Sequence, residues 1–478
     1  MRPALNNFVG GHRTGTRYGC GRRFTFAVLL LLGLGSFGDG HDQRAGRQDI
    51  GSMSPPVTYD RLLNGLVIVI AEDHRDPSVV IKLLVRYGAS FDLQGKSGTA
   101  CMTVDLLLAR GGVPSVQGST VRNLDPDEFR RQSECTQDSL VINLRTTRRD
   151  LPVALRYLAN MITDPEFPES EIARRRINLA ERSPRKTFGR IDQQLKMLLY
   201  QRHPYARPLV GYSPELAAIQ RSDMVRYFHQ FFIANRSALI IVGDVVRDAL
   251  LPMIRPLFGP MMKGEPAPAG FVFSPPMGGP RIRILKDASP MALVGIATTV
   301  VERSHQDYLP LALLTRVLSN RGGLARDSIL TSGASKLNFQ AFLSENVLSS
   351  DVTCHLEVPS SESAKALAVL MEEWGRMSQQ AVSNDELAES RGWILAQFRR
   401  ELGSYQGVAD LLARIELYGL GRDWAMTFES HVQHTSASEL QRVAATYLKP
   451  ERAVCVILGD VGNQVEALKK LGVVEEMP

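Results

Sequence analysis

Polar and apolar positions divide the chain into short alternating or continuous apolar runs and longer stretches of helical period. Residues 66–71 (LVIVIA) and 79–87 form two apolar runs separated by a polar turn at 72–78, which predicts strand, turn, strand. Residues 281–285 and 291–301, separated by 286–290, repeat that pattern. A helical segment follows each pair, at 98–110 and at 308–318. Further helical periodicity covers 150–163, 169–183, 361–381 and 384–403, and strand character recurs at 139–147 and 347–358. These runs alternate in the manner of antiparallel sheets rather than βαβ crossovers.

The chain also resembles itself. Residues 223–245 (DMVRYFHQFFIANRSALIIVGDV) and 439–461 (ELQRVAATYLKPERAVCVILGDV) align at one constant offset. Arg226 then faces Arg442, Arg236 faces Arg452, and Gly243-Asp244-Val245 faces Gly459-Asp460-Val461. Each copy predicts an amphipathic helix, a short connection and an apolar strand ending in a Gly-Asp turn. The Pro/Gly-rich stretch 264–280 (GEPAPAGFVFSPPMGGP) between the copies is an expected linker. The fold class is therefore α+β, with two homologous domains: 55–263 and 281–478, preceded by a lead-in at 1–54.

That lead-in resembles an export signal. A basic stretch ending in Arg22-Arg23 precedes an apolar run at 24–37, too short to span a bilayer comfortably. The expectation is a periplasmic or secreted protein, with retention by an uncleaved N-terminal segment as the alternative. The formal net charge of +6 comes without a basic stripe interleaved with aromatics, which argues against nucleic acid as a partner. Of the five cysteines, Cys20 precedes the apolar run. Cys101, Cys135, Cys354 and Cys455 lie far apart in no zinc spacing. One disulfide is possible in an oxidising compartment, but such scattered cysteines read more readily as buried thiols.

Several segments together resemble the insulinase/pitrilysin family of zinc metallopeptidases. Asn64-Gly65-Leu66, Glu72-Asp73-His74, the HPYARPLVG segment at 203–211, the helix-to-strand passage at 227–245 and the ELYGL segment at 416–420 carry the resemblance. It implies two homologous domains, each an antiparallel sheet packed with helices, arranged as a clamshell around a peptide. It also implies zinc chemistry from H-x-x-E-H on the first long helix, where two histidines at i and i+4 share a metal and the Glu is general base.

In this chain the matching segment has Cys101, Val104 and Asp105 where the first His, the base and the second His belong. The later ligand position of the family is matched by Glu181. Valine accepts no proton. Cys101, Asp105 and Glu181 as a thiolate-carboxylate metal site is one reading; a small core or cavity residue and a solvated or hydrogen-bonded carboxylate is the plainer one. His74, His203, His229 and His305 have no paired spacing, and His203 is expected to cap or pack a turn beside Pro204. The family's substrate-holding Arg and Tyr correspond, less securely, to Ser332 and Lys336.

The expectation is thus a peptidase homologue with a degenerate site and no cofactor of its own, paired with a catalytic paralogous subunit and helping to bind unfolded peptide. The alternatives are an active metallopeptidase with an unorthodox site and a stand-alone peptide-binding or chaperone-like protein.

Overall fold

The computed structural model describes residues 55–109, 129–182, 187–266, 279–329 and 338–477. The apolar run at 24–37, most of the expected linker, Ser332 and Lys336 lie outside the described residues. Among those described, no helix is long and apolar enough to cross a membrane.

Among the described residues, twelve strands form two six-stranded sheets. The first contains β1 (Val57–Arg61), β2 (Val67–Glu72), β3 (Ser78–Val85), β4 (Arg130–Cys135), β5 (Leu140–Thr147) and β6 (Ser237–Gly243), in the order β1-β2-β6-β3-β5-β4. The second contains β7 (Arg281–Lys286), β8 (Met291–Val300), β9 (Phe339–Leu343), β10 (Ser350–Pro359), β11 (Val454–Gly459) and β12 (Val473–Met477), in the order β12-β7-β11-β8-β10-β9. Five strands of each sheet thus follow one pattern, with the late strand, β6 or β11, inserted between the first two.

This insertion refines the antiparallel expectation. The late strand arrives from a helix and lies parallel to β2 or β7, while pairing antiparallel with β3 or β8. The edge strands differ: β1 is antiparallel to β2, whereas β12 is parallel to β7. The remaining ladders are antiparallel.

Among the described residues, fourteen α-helices accompany the sheets. In the first half they are α1 (Thr99–Ala109), α2 (Leu151–Thr163), α3 (Glu169–Arg182), α4 (Thr187–Tyr200), α5 (Ser213–Ala218), α6 (Arg221–Phe231) and α7 (Arg247–Phe258). In the second they are α8 (Tyr308–Ile329), α9 (Ser363–Gln379), α10 (Asn384–Leu402), α11 (Tyr405–Tyr418), α12 (Trp424–His434), α13 (Ala437–Tyr447) and α14 (Val465–Lys469).

Side chains alternate across each strand, so each sheet has two faces to bury. In the first sheet, Ile68, Ile70, Ile81, Leu83, Ile142 and Ile241 pack with the half's own helices, including α1, α2 and α6. The opposite face carries Val67, Val69, Val80, Leu84, Ile240 and Val242, and α11 of the second half covers it. The second sheet is arranged reciprocally. Its own helices cover Ile284, Val294, Ile296 and Ile457, while α4 of the first half covers Leu293, Ala297, Val456 and Leu458. The close fit of α4 is set at Gly295, where a Cβ would come within 2.9 Å of the Ile191 side chain.

Polar bonds between the halves join the same elements. The Tyr405 hydroxyl donates to the Asp73 carbonyl at 2.9 Å and accepts from the Asp76 amide at 3.0 Å. Tyr200 donates to Asp351 at 2.8 Å, and Asp138 accepts from the Val347 amide at 3.0 Å. Arg86 pairs with Glu416 at 2.5 Å.

Candidate site on the first long helix

The start of α1 is built by backbone chemistry that needs its particular residues. Asp92 is buried and caps the helix, accepting from the Gly98 amide at 2.7 Å and the Ala100 amide at 2.8 Å. Burial pushes its carboxyl up to about 7 against the opposing pull of those amides. Gly98 has φ +99°, and a Cβ there would come within 2.8 Å of the Val210 carbonyl oxygen. Gly211, at φ +76°, is equally closed to a side chain by the Ser97 carbonyl. These two glycines seat the HPYARPLVG segment against the head of α1. Within that segment the His203 Nδ1 accepts from the Tyr205 amide at 3.2 Å, capping a short 3-10 turn. Arg207 donates to the Asp92 carbonyl at 2.6 Å and accepts from Gln137 at 3.1 Å through its own carbonyl.

Along α1 the three positions that the resemblance aligns with the motif have separate fates. Cys101 is bonded to Cys135 of β4, with Cα atoms 5.3 Å apart. This corrects the reading of Cys101 as a lone core thiol, which its spacing in the sequence favoured. The two cysteines are 34 residues apart, and only the crossing of α1 over β4 brings them together. Cys354 and Cys455 are buried free thiols, both pushed up to about 12 by burial.

Val104 has no exposed surface and packs in the core between α1 and the sheet. Asp105 accepts a hydrogen bond from Ser133 of β4 at 2.5 Å and lies 3.7 Å from Arg175 of α3. Glu181 lies on α3, but its side chain falls outside the described residues.

This arrangement does not fit the zinc that the family's motif would hold. A disulfide sulfur is no thiolate ligand, the base position is an isopropyl group in the core, and the carboxylate is already engaged by Ser133 and Arg175. Among the described residues, no group of three His, Cys, Asp or Glu side chains is placed to hold a metal ion. The four single histidines do not converge either. His74 bonds Asp244 at 2.6 Å, His203 caps its turn, and the His305 Nδ1 accepts from the Asp307 amide at 3.0 Å.

A cavity of about 240 Å³ lies beside the head of α1, lined in part by Ser90, Asp92, Thr99, Arg207, Arg226 and Tyr227. Its cations are already engaged: Arg207 on the Asp92 carbonyl and Arg226 on Asp223.

Beyond α1, a buried charge group lies on the face of the first sheet turned toward α11. Lys82 of β3 pairs with Asp410 of α11 and lies 3.5 Å from Glu134 of β4. Burial raises the Glu134 carboxyl above the ordinary carboxylate range, partly offset by Lys82. The sequence gives one signal for Lys82, a lone cation inside an apolar strand run, but none for its partners.

Two α+β halves, each lending a helix to the other's sheet, with the HPYARPLVG segment seated on the helix that carries Cys101, Val104 and Asp105, make up a peptidase-like scaffold. Comparisons with known proteins agree. The family model described as "Peptidase M16 inactive domain" matches residues 218–392. The chain is 23% identical over 425 residues to the human "Mitochondrial-processing peptidase subunit beta", covering 86% of each chain. It is 22% identical over 444 residues to the human "Cytochrome b-c1 complex subunit 1, mitochondrial", covering 88% of each. The crystal structure of a peptidase M16 inactive domain from Pseudomonas fluorescens superposes with a TM-score of 0.74 at 18% identity, covering 84% of this chain and 98% of that one. Over most of its length this chain is thus similar to M16-family proteins, with residues 218–392 matching that family's inactive-domain model.

Proposed function

We propose that this protein is a non-catalytic M16 homologue, a subunit that stands beside a zinc-dependent peptidase and helps bind unfolded peptide. The observation that carries the reading is Val104. The position that should accept a proton from water is an apolar side chain without exposed surface, between a residue spent on a disulfide and one spent on Ser133 and Arg175. Around this inert turn the scaffold is intact, with Asp92, Gly98, Gly211 and the 203–211 segment all engaged.

Support for a partner is of a different kind. The names of the two human relatives describe subunits, one of a mitochondrial-processing peptidase and one of a cytochrome b-c1 complex. A disulfide also suits an export compartment, in line with the apolar N-terminal run, and favours a periplasmic or secreted location.

The test is affinity purification of the tagged full chain from its native host. A paralogous chain with an intact H-x-x-E-H should come with it at stoichiometric yield, and the pair should cleave unstructured peptides while the lone chain does not. Chelator-sensitive cleavage by the purified lone chain would end the non-catalytic reading. Saturable binding of extended peptide by the lone chain, with no partner recovered, would end the subunit reading.

A further inference from the structure

Positions 101 and 105 lie on one face of α1, one helical turn apart. Positions 133 and 135 lie on one face of β4, two residues apart. The structure joins these faces by two rungs: the Cys101–Cys135 disulfide and the Ser133–Asp105 hydrogen bond at 2.5 Å. Arg175 of α3 adds an ion pair to the same carboxylate at 3.7 Å. The two positions that would face a metal in the family's motif therefore face an edge strand here, and Arg175 adds an ionic contact to the apolar packing of α3 on α1.

The strand they hold is otherwise tied by its ladder with β5, by Arg131 donating to the Tyr157 hydroxyl at 2.8 Å and by Glu134 beside Lys82. β4 (RRQSEC) has three exposed residues and three half-buried ones, and it pairs with β5 alone, at the end of the sheet. It buries no alternating apolar row, so packing contributes less to its position than it does for β3 or β6. We propose that the ligand face of α1 serves as a metal-free clasp on β4, and that its covalent rung forms by thiol–disulfide exchange during export.

In that exchange one of the two thiolates, Cys101 or Cys135, attacks an incoming small-molecule or protein disulfide. A mixed disulfide forms and one thiol leaves. The second cysteine then attacks the mixed disulfide, closing Cys101–Cys135 and releasing the second thiol. The two protons lost by the cysteines are taken up by the two outgoing thiolates, and the oxidant is reduced by two electrons. The clasp closes a loop of 34 residues. Cross-links of that span stabilise chiefly by restricting the unfolded chain. This inference holds whether or not a partner subunit exists.

Peptide mapping of the full chain, purified from an oxidising compartment without reductant, should recover Cys101 linked to Cys135, with Cys354 and Cys455 as free thiols. Thermal unfolding should then be compared for the wild type, Cys101→Ala, Cys135→Ala and the double variant. A shared bond makes the three variants nearly alike, each about 4 °C below the wild type. Hydrogen exchange should rise roughly tenfold or more at the amides of α1 and β4, and stay unchanged in β7 to β12. Excess EDTA should leave the wild-type Tm where it was. Recovery of both cysteines as thiols, additive losses in the double variant, or a Tm lowered by EDTA would each overturn the proposal; the first two refute the bond and the third refutes its independence of metal.

Discussion

At the scale of single residues, His203 has a side chain whose charge state the fold dictates. Burial, with Arg207 nearby, pushes its imidazole down to about 4 from the ordinary 6.5. The neutral ring suits its role, since Nδ1 accepts from the Tyr205 amide and a protonated ring would lose that acceptor. A folded-state value below the unfolded one means a contribution fully present above about 6.5 and lost as the pH falls toward 4. Urea unfolding between pH 7 and pH 4 should show the wild type losing on the order of 2 kcal/mol more than His203→Asn, which keeps an acceptor but does not titrate. Parallel pH profiles for the two proteins would refute this assignment. The neighbouring substitutions are as local in their logic. That Val104 can accept no proton is visible from residue type alone, because no environment makes an isopropyl group basic. What Cys101 and Asp105 engage is not visible, because their partners Cys135, Ser133 and Arg175 are far along the chain.

At the scale of elements, α11 depends on one buried charge. Lys82 is about 1% exposed in the middle of β3, and Asp410 of α11 and Glu134 of β4 are turned toward it. Lys82→Met leaves two carboxylates facing an apolar sheet without a counter-charge. Equilibrium unfolding should show a loss of about 3 kcal/mol, largely recovered when Asp410→Leu is added. A single variant as stable as the wild type would show that the pair does not hold α11. Elements with a strong period are legible in the sequence: β2, β3, β7, β8 and β10, and helices α1, α2, α3, α9 and α10 fall where apolar spacing predicts them. The edge strands β1, β4, β9 and β12 escape it. An edge strand pairs on one side only, so it carries few continuous apolar residues; RRQSEC shows no strand pattern. The parallel placement of β6 and β11 escapes it as well, since it depends on which gap in a sheet remains open when the last strand arrives.

At the scale of the whole molecule, the two halves are bound by exchange. α4 buries one face of the second sheet, and α11 buries one face of the first. A half made alone would keep its own helices but expose a row such as Val67, Val69, Val80, Leu84, Ile240 and Val242. Fragments 55–266 and 279–478, expressed separately, should therefore be insoluble or associate, and co-expression should recover a soluble, cooperatively unfolding pair. Two soluble monomeric fragments would contradict the exchange. The sequence by itself determined that there are two α+β halves, that the HPYARPLVG segment and the first long helix belong to a peptidase-like scaffold, and that Val104 offers no proton acceptor. Those properties lie in local period and residue type, which act over a few neighbouring positions. Only the tertiary structure decided that Cys101 is bonded to an edge strand, that Asp105 is spent on Ser133 and Arg175, and that each half borrows a helix from the other. Each of these requires groups distant in the chain to meet, and chain order carries no physical record of such meetings until the sheets and helices have packed.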